Sequence, residues 1–240
     1  MQRDVETRVQ ETNAAALEAG ALFLLEEAIA KKAHGEAALV SSFGSEAAVL
    51  LHLASRVDPS VPVLFIDTRM MFAETLDYQQ SLAERLGLTD VRRISADSRD
   101  LRRGDVFGRL HLSDPDACCN LRKTIPLEQA LSGFDCWING RKRHQAASRS
   151  AIRLSEADPS GRLKLNPLAF WERQDIEAYF SRHALPPHPM VAKGFTSIGC
   201  APCTVRVAEG ADPRSGRWSG QEKTECGIHI ENGVITRPTA

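Results

Sequence analysis

Between Ala37 and Ser95 the chain alternates short apolar runs with longer amphipathic ones, and few folds accept that rhythm. Ala37-Ala38-Leu39-Val40-Ser41-Ser42 reads as a buried strand ending in small polar residues. Phe43-Gly44-Ser45-Glu46 turns the chain into a helix from Ala47 to about Arg56. Val61 to Ile66 is a second buried strand, stopped by Asp67-Thr68. A helix follows from about Phe72 to Leu86, closed by Gly87, and Val91 to Ser95 is a third strand. Strand, helix, strand, helix, strand at this spacing predicts an α/β fold, a parallel twisted sheet with helices on both faces. Ligands of such sheets sit at the carboxyl ends of the strands. The segments 41–46 and 67–69 are therefore expected to form two rims of one crevice.

The rest of the chain is read in the same way. Residues 12–34 form an amphipathic helix, with Leu17, Leu22, Leu24, Leu25 and Ile29 at helical spacing before Gly35. Ala117 to Leu131 is helical, kinked or restarted at Pro126. Phe134 to Asn139 is a strand, Leu163 to Leu168 is extended, and Glu172 to His183 is a helix. From Ala184 onward prolines and glycines predict loop with short helices. The expected organisation is one α/β domain over residues 1–210 and a mobile tail over 211–240, with the Gly- and Ser-containing run 210–220 as its hinge.

A net charge of −1 over 240 residues gives no global attraction to nucleic acid or membranes. No apolar run is long enough to span a bilayer. The N-terminus carries Arg3, Asp4, Glu6 and Arg8 with no apolar core after them, unlike a signal peptide. A cytoplasmic protein is expected, and six cysteines in a reducing compartment point to metal binding or catalysis rather than to disulfides.

Three features carry chemistry. The turn Ser41-Ser42-Phe43-Gly44-Ser45-Glu46 lets an anion approach backbone N–H groups at a helix N-terminus, although neither the dinucleotide nor the Walker fingerprint matches. Cys118-Cys119 and Cys200-Ala201-Pro202-Cys203 offer four thiolates, suited to an iron–sulfur cluster or a structural zinc. Adjacent cysteines serve one small ion poorly and two irons of a cubane better, which favours the cluster; a redox disulfide is the further alternative. Cys136 lies in a strand and reads as a small core residue. Cys226, near the C-terminus in Lys223-Thr224-Glu225-Cys226-Gly227-Ile228-His229, has no apolar periodicity around it, as suits a nucleophile carried on a moving segment.

Together these motifs resemble assimilatory adenylyl-sulfate (APS) reductase, the iron–sulfur branch of the APS/PAPS reductase family. The Cys-Cys pair, the distant Gly-Cys-x-Pro-Cys-Thr and the terminal Glu-Cys-Gly-Ile-His carry the resemblance. It extends through 41–46, through Phe65-Ile66-Asp67-Thr68-Arg69 with Phe72-Ala73-Glu74-Thr75, and through Cys118 to Leu127. It continues in Gly140-Arg141-Lys142-Arg143-His144-Gln145…Arg149 and Arg214-Ser215-Gly216-Arg217-Trp218. Two positions depart from the pattern: Arg69 stands where glycine is more usual, and Ser219-Gly220 follow Trp218 where further tryptophans are common.

The resemblance implies a nucleotide-binding fold of the adenine nucleotide alpha hydrolase, or PP-loop, type. It implies a 4Fe-4S cluster on Cys118, Cys119, Cys200 and Cys203. It implies substrate contacts from Ser41, Ser42, Gly44, Ser45, Glu46, Asp67, Thr68, Lys123, Arg143, Arg149, Arg214, Arg217 and His229. Cys226 would attack the sulfur of APS, releasing AMP, and reduced thioredoxin, or a glutaredoxin-like protein, would release sulfite from the adduct. A homo-oligomer is compatible with the sequence. PAPS reductase, or dual APS/PAPS specificity, is the nearest alternative, and a PAPS reductase is not expected to carry the four cysteines. A PP-loop ATP pyrophosphatase such as a tRNA-thiolating enzyme would carry Ser-Gly-Gly-x-Asp-Ser at the loop, which this chain lacks. An iron–sulfur or redox sensor using the fold only to bind a nucleotide would not need Cys226.

Overall fold

The computed structural model describes residues 2–208, 210–220, 223 and 225, with the backbone alone for 2–4 and 6. Helix α1 (Gln2–Leu25) runs into a wider π turn at Glu26–Ala30. Then come β1 (Ala37–Ser41), α2 (Ala47–Val57), β2 (Val63–Ile66), α3 (Ala73–Leu86) and β3 (Val91–Ile94). Three short helices follow: α4 (Ser98–Gly104), α5 (Leu110–Ser113) and α6 (Pro115–Cys119). A π turn at Asn120–Thr124 links α6 to α7 (Ile125–Leu131), and β4 (Cys136–Ile138), β5 (Ser155–Ala157), β6 (Leu163–Leu165) and α8 (Arg173–Arg182) complete the fold.

The six strands form one sheet in the order β3-β2-β1-β4-β6-β5. Five are parallel, and β5 joins β6 antiparallel at the edge. The all-parallel expectation therefore holds for five strands and fails at β5. Its sequence, Ser-Glu-Ala, is half exposed and carries no apolar signal.

Strands β1, β2 and β4 are buried at every position, as required of strands covered on both faces. Their alternation sorts side chains between two cores. Leu39, Val63, Phe65, Cys136 and Ile138 pack with α1, α2 and α8. Ala38, Val40, Leu64, Ile66 and Trp137 pack with Leu127 and Leu131 of α7. Cys136 is fully buried, and burial pushes its thiol up to about 12. It is a neutral core residue.

β1 lies between β2 and β4. The chain builds outward from β1 to β3 and then returns to β4 on the other side, so the loops after β1 and β4 diverge. A topological switch point of this kind opens a crevice beyond the strand ends.

The first helix begins about ten residues before its expected start, because Glu, Arg, Gln and Ala favour helix even where no apolar face forms. Its inner end is tied down by Glu18, which pairs with Arg56 of α2 and Arg182 of α8. Pro126 occupies the first turn of α7 and so restarts the helix there.

Residues 211–220 fold back on the body. Val205 N–H donates to Gly216 O at 2.8 Å, Trp218 N–H donates to Cys203 O at 3.1 Å, and Trp218 is buried. The run 210–220, expected as a hinge, is thus packed against the turn that carries Cys203.

Gly35 joins α1 to the sheet at φ 81°, and a Cβ there would lie 2.2 Å from Asp135 Oδ2. That carboxylate accepts the Glu36 N–H at 2.9 Å just before β4. Gly35→Ala is expected to lower stability by about 1–3 kcal/mol, measured by urea unfolding. A loss below about 0.5 kcal/mol would show that this neck relaxes without cost.

Candidate active site

The crevice at the switch point is a cleft of about 220 Å³. Its floor is the loop after β1. Ser41 Oγ accepts the Phe43 N–H at 3.1 Å, and Phe43 adopts φ 49° with its ring fully buried, edge-on to Phe65. Anchoring Phe43 inward leaves Ser42, Gly44 and Ser45 lining the cleft. Ser45 Oγ donates to Thr196 O at 2.9 Å, tying the loop to the segment that leads to Cys200. Helix α2 starts at this floor, and its N-terminal N–H groups give the floor a partial positive charge.

The opposite wall is the loop after β4. Lys142, almost wholly buried, donates to Gly140 O at 2.9 Å and pairs with Glu46 at 2.8 Å, while Gln145 Nε2 donates to Glu46 at 2.8 Å. Burial opposes the charged form of Glu46, but Lys142 and Gln145 outweigh it and hold the carboxyl below its ordinary range. Glu46 thus lines the cleft as a clamp joining the two loops.

The rim is cationic. Lys123, Arg149, Arg214 and Arg217 all line the cleft. Arg214, Arg217 and Lys223 gather around the buried Trp218 ring, at 6.0, 4.5 and 5.7 Å from its centroid. The Arg217 guanidinium lies close against Gly199, where a Cβ would come within 2.2 Å of Nη2. Its buried Nε has no hydrogen-bond partner among the described residues. Arg149 gives two hydrogen bonds to the Glu225 carboxylate, Nε at 2.6 Å and Nη2 at 2.8 Å. Ser148 Oγ and Arg214 Nη2 add contacts to Glu225 at 3.3 and 3.4 Å. Burial works against the Glu225 charge, yet Arg149 leads a set of donors that holds this carboxyl below its ordinary range.

The four cysteines converge beside this rim. Cys118, Cys119 and Cys200 are buried and Cys203 is half-buried. Burial is the first reason the Cys118 thiol is pushed up to about 11, and Cys119, Cys200 and Cys203 each add to the rise. Burial also pushes Cys203 up, followed by Cys200; Lys123 pulls it down. Two pairs separated by some eighty residues therefore feel each other's charge. Among the described residues no three His, Cys, Asp or Glu side chains close on a single metal ion.

Arg122 organises this corner. Its Nη2 donates to the buried Asp105 at 2.6 Å and its Nη1 to Thr68 O at 2.9 Å. Thr68 Oγ1 in turn lies 3.2 Å from Cys200 Sγ. The π turn that carries Arg122 also turns Lys123 toward the cleft, a frequent use of such wide turns at functional sites.

Residues 36–206 match the phosphoadenosine phosphosulfate reductase domain family. The chain belongs to that family. It is an enzyme, an oxidoreductase acting on a sulfur group. It is 46% identical over 209 residues to an adenosine 5'-phosphosulfate reductase of Mesorhizobium japonicum, covering 87% of this chain and 82% of the relative. A protein of the same name from Chelativorans sp. is 47% identical over 196 residues, covering 82% and 80%. Among solved structures, phosphoadenylyl-sulfate reductase from Candida auris, a phosphate complex, superposes with a TM-score of 0.65 at 24% identity, over 78% of this chain and 90% of that one. This likeness shows the PP-loop α/β fold.

Of the family positions expected to contact substrate, Ser41, Ser42, Gly44, Ser45, Glu46, Thr68, Lys123, Arg149, Arg214 and Arg217 line the cleft. Two expected positions do not. Asp67 turns away to accept Arg93 Nε at 2.7 Å and the Arg69 N–H at 2.8 Å. Arg143 donates to Ile152 O at 2.8 Å and stacks on Phe170. Cys226 and His229 lie outside the described residues. Arg69, which replaces the family's more usual glycine, sits at φ 57°, the region glycine favours.

Lys142, Gln145, Gly199 and Trp218 stand inside the quoted motifs yet were not singled out as site residues. Nothing in a lone lysine, glutamine or glycine distinguishes clamp from surface until the loops are assembled. Gly199→Ala is expected to weaken AMP binding about tenfold, or about 1.4 kcal/mol, in calorimetry, with the unfolding midpoint nearly unchanged. An equal loss of stability and binding would make Gly199 a packing residue only.

The depressed Glu46 carboxyl contributes stability that is complete above its unfolded value of about 4.5 and is lost as pH falls through the lower folded value. The stability of the wild type relative to Glu46→Gln should be flat above about pH 5, at about 1–3 kcal/mol, and shrink below about pH 4. A difference that grows in acid would contradict the clamp.

Proposed function

We propose that this chain is an APS reductase. It reduces adenosine 5'-phosphosulfate to sulfite and AMP at the expense of reduced thioredoxin, in sulfate assimilation and cysteine biosynthesis. The observation that carries this reading is the meeting of two distant cysteine pairs beside Lys123 at the rim of a cationic nucleotide cleft. The names of two similar relatives support it.

In this reading the nucleotide lies along the floor from Ser42 to Ser45, its phosphosulfate toward Lys123, Arg214 and Arg217. Arginine forks suit paired oxyanions, and the positive rim lowers the repulsion between sulfate and an incoming thiolate. Cys226 attacks the sulfur, the bond from sulfur to the phosphate oxygen breaks, and AMP leaves with that oxygen. A cysteine S-sulfonate remains. A thioredoxin thiolate attacks Cys226 Sγ, and sulfite departs with the electron pair. The second thioredoxin thiol then frees Cys226, leaving thioredoxin oxidised. Every electron in this scheme comes from the dithiol.

Cys118, Cys119, Cys200 and Cys203 are the residues that would hold a 4Fe-4S cluster. Their chemistry fits: burial first, and the neighbouring cysteines after it, push the Cys118 and Cys203 thiols up, and a cationic iron core would favour their thiolate forms. When bound, the cluster would supply a covalent tie between the two segments and so fix Lys123, four residues after Cys119.

The test uses anaerobically purified protein, reduced thioredoxin, and APS or PAPS in parallel, with iron and sulfide measured on the same sample. Sulfite from APS, little from PAPS, and about four irons per chain are expected. Cys226→Ser should abolish sulfite and keep the iron. Sulfite from PAPS alone would move the chain to the PAPS branch. Persistent sulfite in Cys226→Ser would remove the proposed nucleophile.

A further inference from the structure

We propose that the turn between α4 and α5 is a docking knob for the protein dithiol that supplies the electrons, a partner whose contact face is apolar at its centre and acidic at its rim. The proposal rests on the reading of this chain as a reductase served by a protein reductant.

The knob is an exposed apolar cluster. Val106, Phe107 and Leu112 lie close together in the chain and are 67%, 86% and 66% exposed. Gly108 sits among them at φ 67°, and a Cβ there would meet nothing within 4 Å, so the tip stands clear of the body. Exposed apolar side chains scattered singly need no account, but several at one loop tip, rimmed by charge, mark a contact surface. The tip is also held in shape. The Asp105 carboxylate accepts the Leu110 N–H at 2.9 Å, and the Gly108 N–H donates to Asp105 O at 3.1 Å. Asp105 is itself buried against Arg122. An aromatic side chain on a turn fixed in advance loses little freedom on contact, as suits an anchor.

Charge points to the partner. Between 101 and 112 the exposed charged side chains are Arg102, Arg103 and Arg109, and no ion pair engages them among the described residues. The acid of that stretch, Asp105, is buried on Arg122, and the next exposed acids are Asp100 and Asp114 on either side. Arginine around an aromatic is the composition of interface hot spots, and an acidic rim on the partner complements it. Area separates a reductant from a second copy of this chain. The three apolar side chains offer at most ~250 Å² each even at aromatic size, short of the ~800 Å² that each partner buries in a stable complex. Redox encounters fall at the small, transient end of that range. Position agrees as well. Asp105 directly precedes the knob and binds Arg122, whose Nη1 reaches Thr68 O and whose neighbour Lys123 lines the cleft with Thr68. The knob therefore stands one ion pair away from the residues of the cleft.

The experiment compares iron-loaded wild type with Phe107→Ser and Arg103→Glu, using a bacterial thioredoxin and, separately, dithiothreitol as reductant. Phe107→Ser should raise the thioredoxin concentration for half-maximal sulfite release about fivefold or more. Its APS half-saturation, its rate with dithiothreitol and its unfolding midpoint should stay nearly unchanged. Arg103→Glu should raise the thioredoxin requirement too, and the wild-type requirement should climb as ionic strength goes from about 0.05 to about 0.3 M. Binding without turnover is read from the NMR spectrum of isotope-labelled reduced thioredoxin: wild type should broaden it and Phe107→Ser should not. An unchanged thioredoxin requirement in Phe107→Ser, or an equal loss with dithiothreitol, would overturn the docking. A wild-type dimer in sedimentation that Phe107→Ser dissociates would also overturn it, because the patch would then serve a second copy of the chain. If wild type broadens the spectrum through Phe107 but makes no sulfite with either reductant, the docking stands and the proposed reaction fails. If wild type makes sulfite and Phe107→Ser needs no more thioredoxin than it does, the reaction stands and the docking fails.

Discussion

The buried guanidinium of Arg122 holds the corner beside the cleft together. It is paired with Asp105, bonded to the carbonyl of Thr68 at the end of β2, and flanked in sequence by the cysteine pair and Lys123. Through Thr68 it reaches Cys200. Two buried charges gain little over an apolar pair of the same volume, but removing one partner strands the other and costs about 3–5 kcal/mol. An arrangement of this kind is expensive to alter and therefore specific in geometry. It fixes where α6 ends, and so where Cys118, Cys119 and Lys123 stand relative to the strand ends.

The sheet places this corner. Because β1 sits between β2 and β4, the loops that leave it on either side carry the two walls of the cleft. Glu46, Lys142 and Gln145 lock those walls together. The remaining cations then face a floor made of backbone and small side chains. The site reads as a positive basin with a rigid frame.

Most of the sheet was legible because β1, β2 and β4 are unbroken apolar runs, and burial on both faces leaves that mark. The cysteine pairs stood out by their spacing, whereas their meeting across some eighty residues is the work of the fold. Helices α4 and α5 were not legible, since Ser98–Gly104 is mostly charged and Leu110–Ser113 is a single turn without periodicity. The edge strand β5 escaped for the same reason. Asp67 and Arg143 stand in the motifs, yet their side chains are drawn to Arg93 and to Phe170 by neighbours that no local reading supplies. Glu225 was passed over because a glutamate beside a cysteine looks like solvent-facing charge until Arg149 is brought opposite it.

The central claim is that the sulfur is transferred to Cys226 before any external electron arrives. The direct measurement is to mix anaerobic, iron-loaded protein with APS and no thioredoxin, then digest it and locate the added mass. The account predicts one SO₃ on the peptide containing Cys226, with one AMP released per adduct, and discharge of sulfite when reduced thioredoxin is added. Sulfite production that needs thioredoxin from the start, with no adduct on Cys226 at any time, would contradict it.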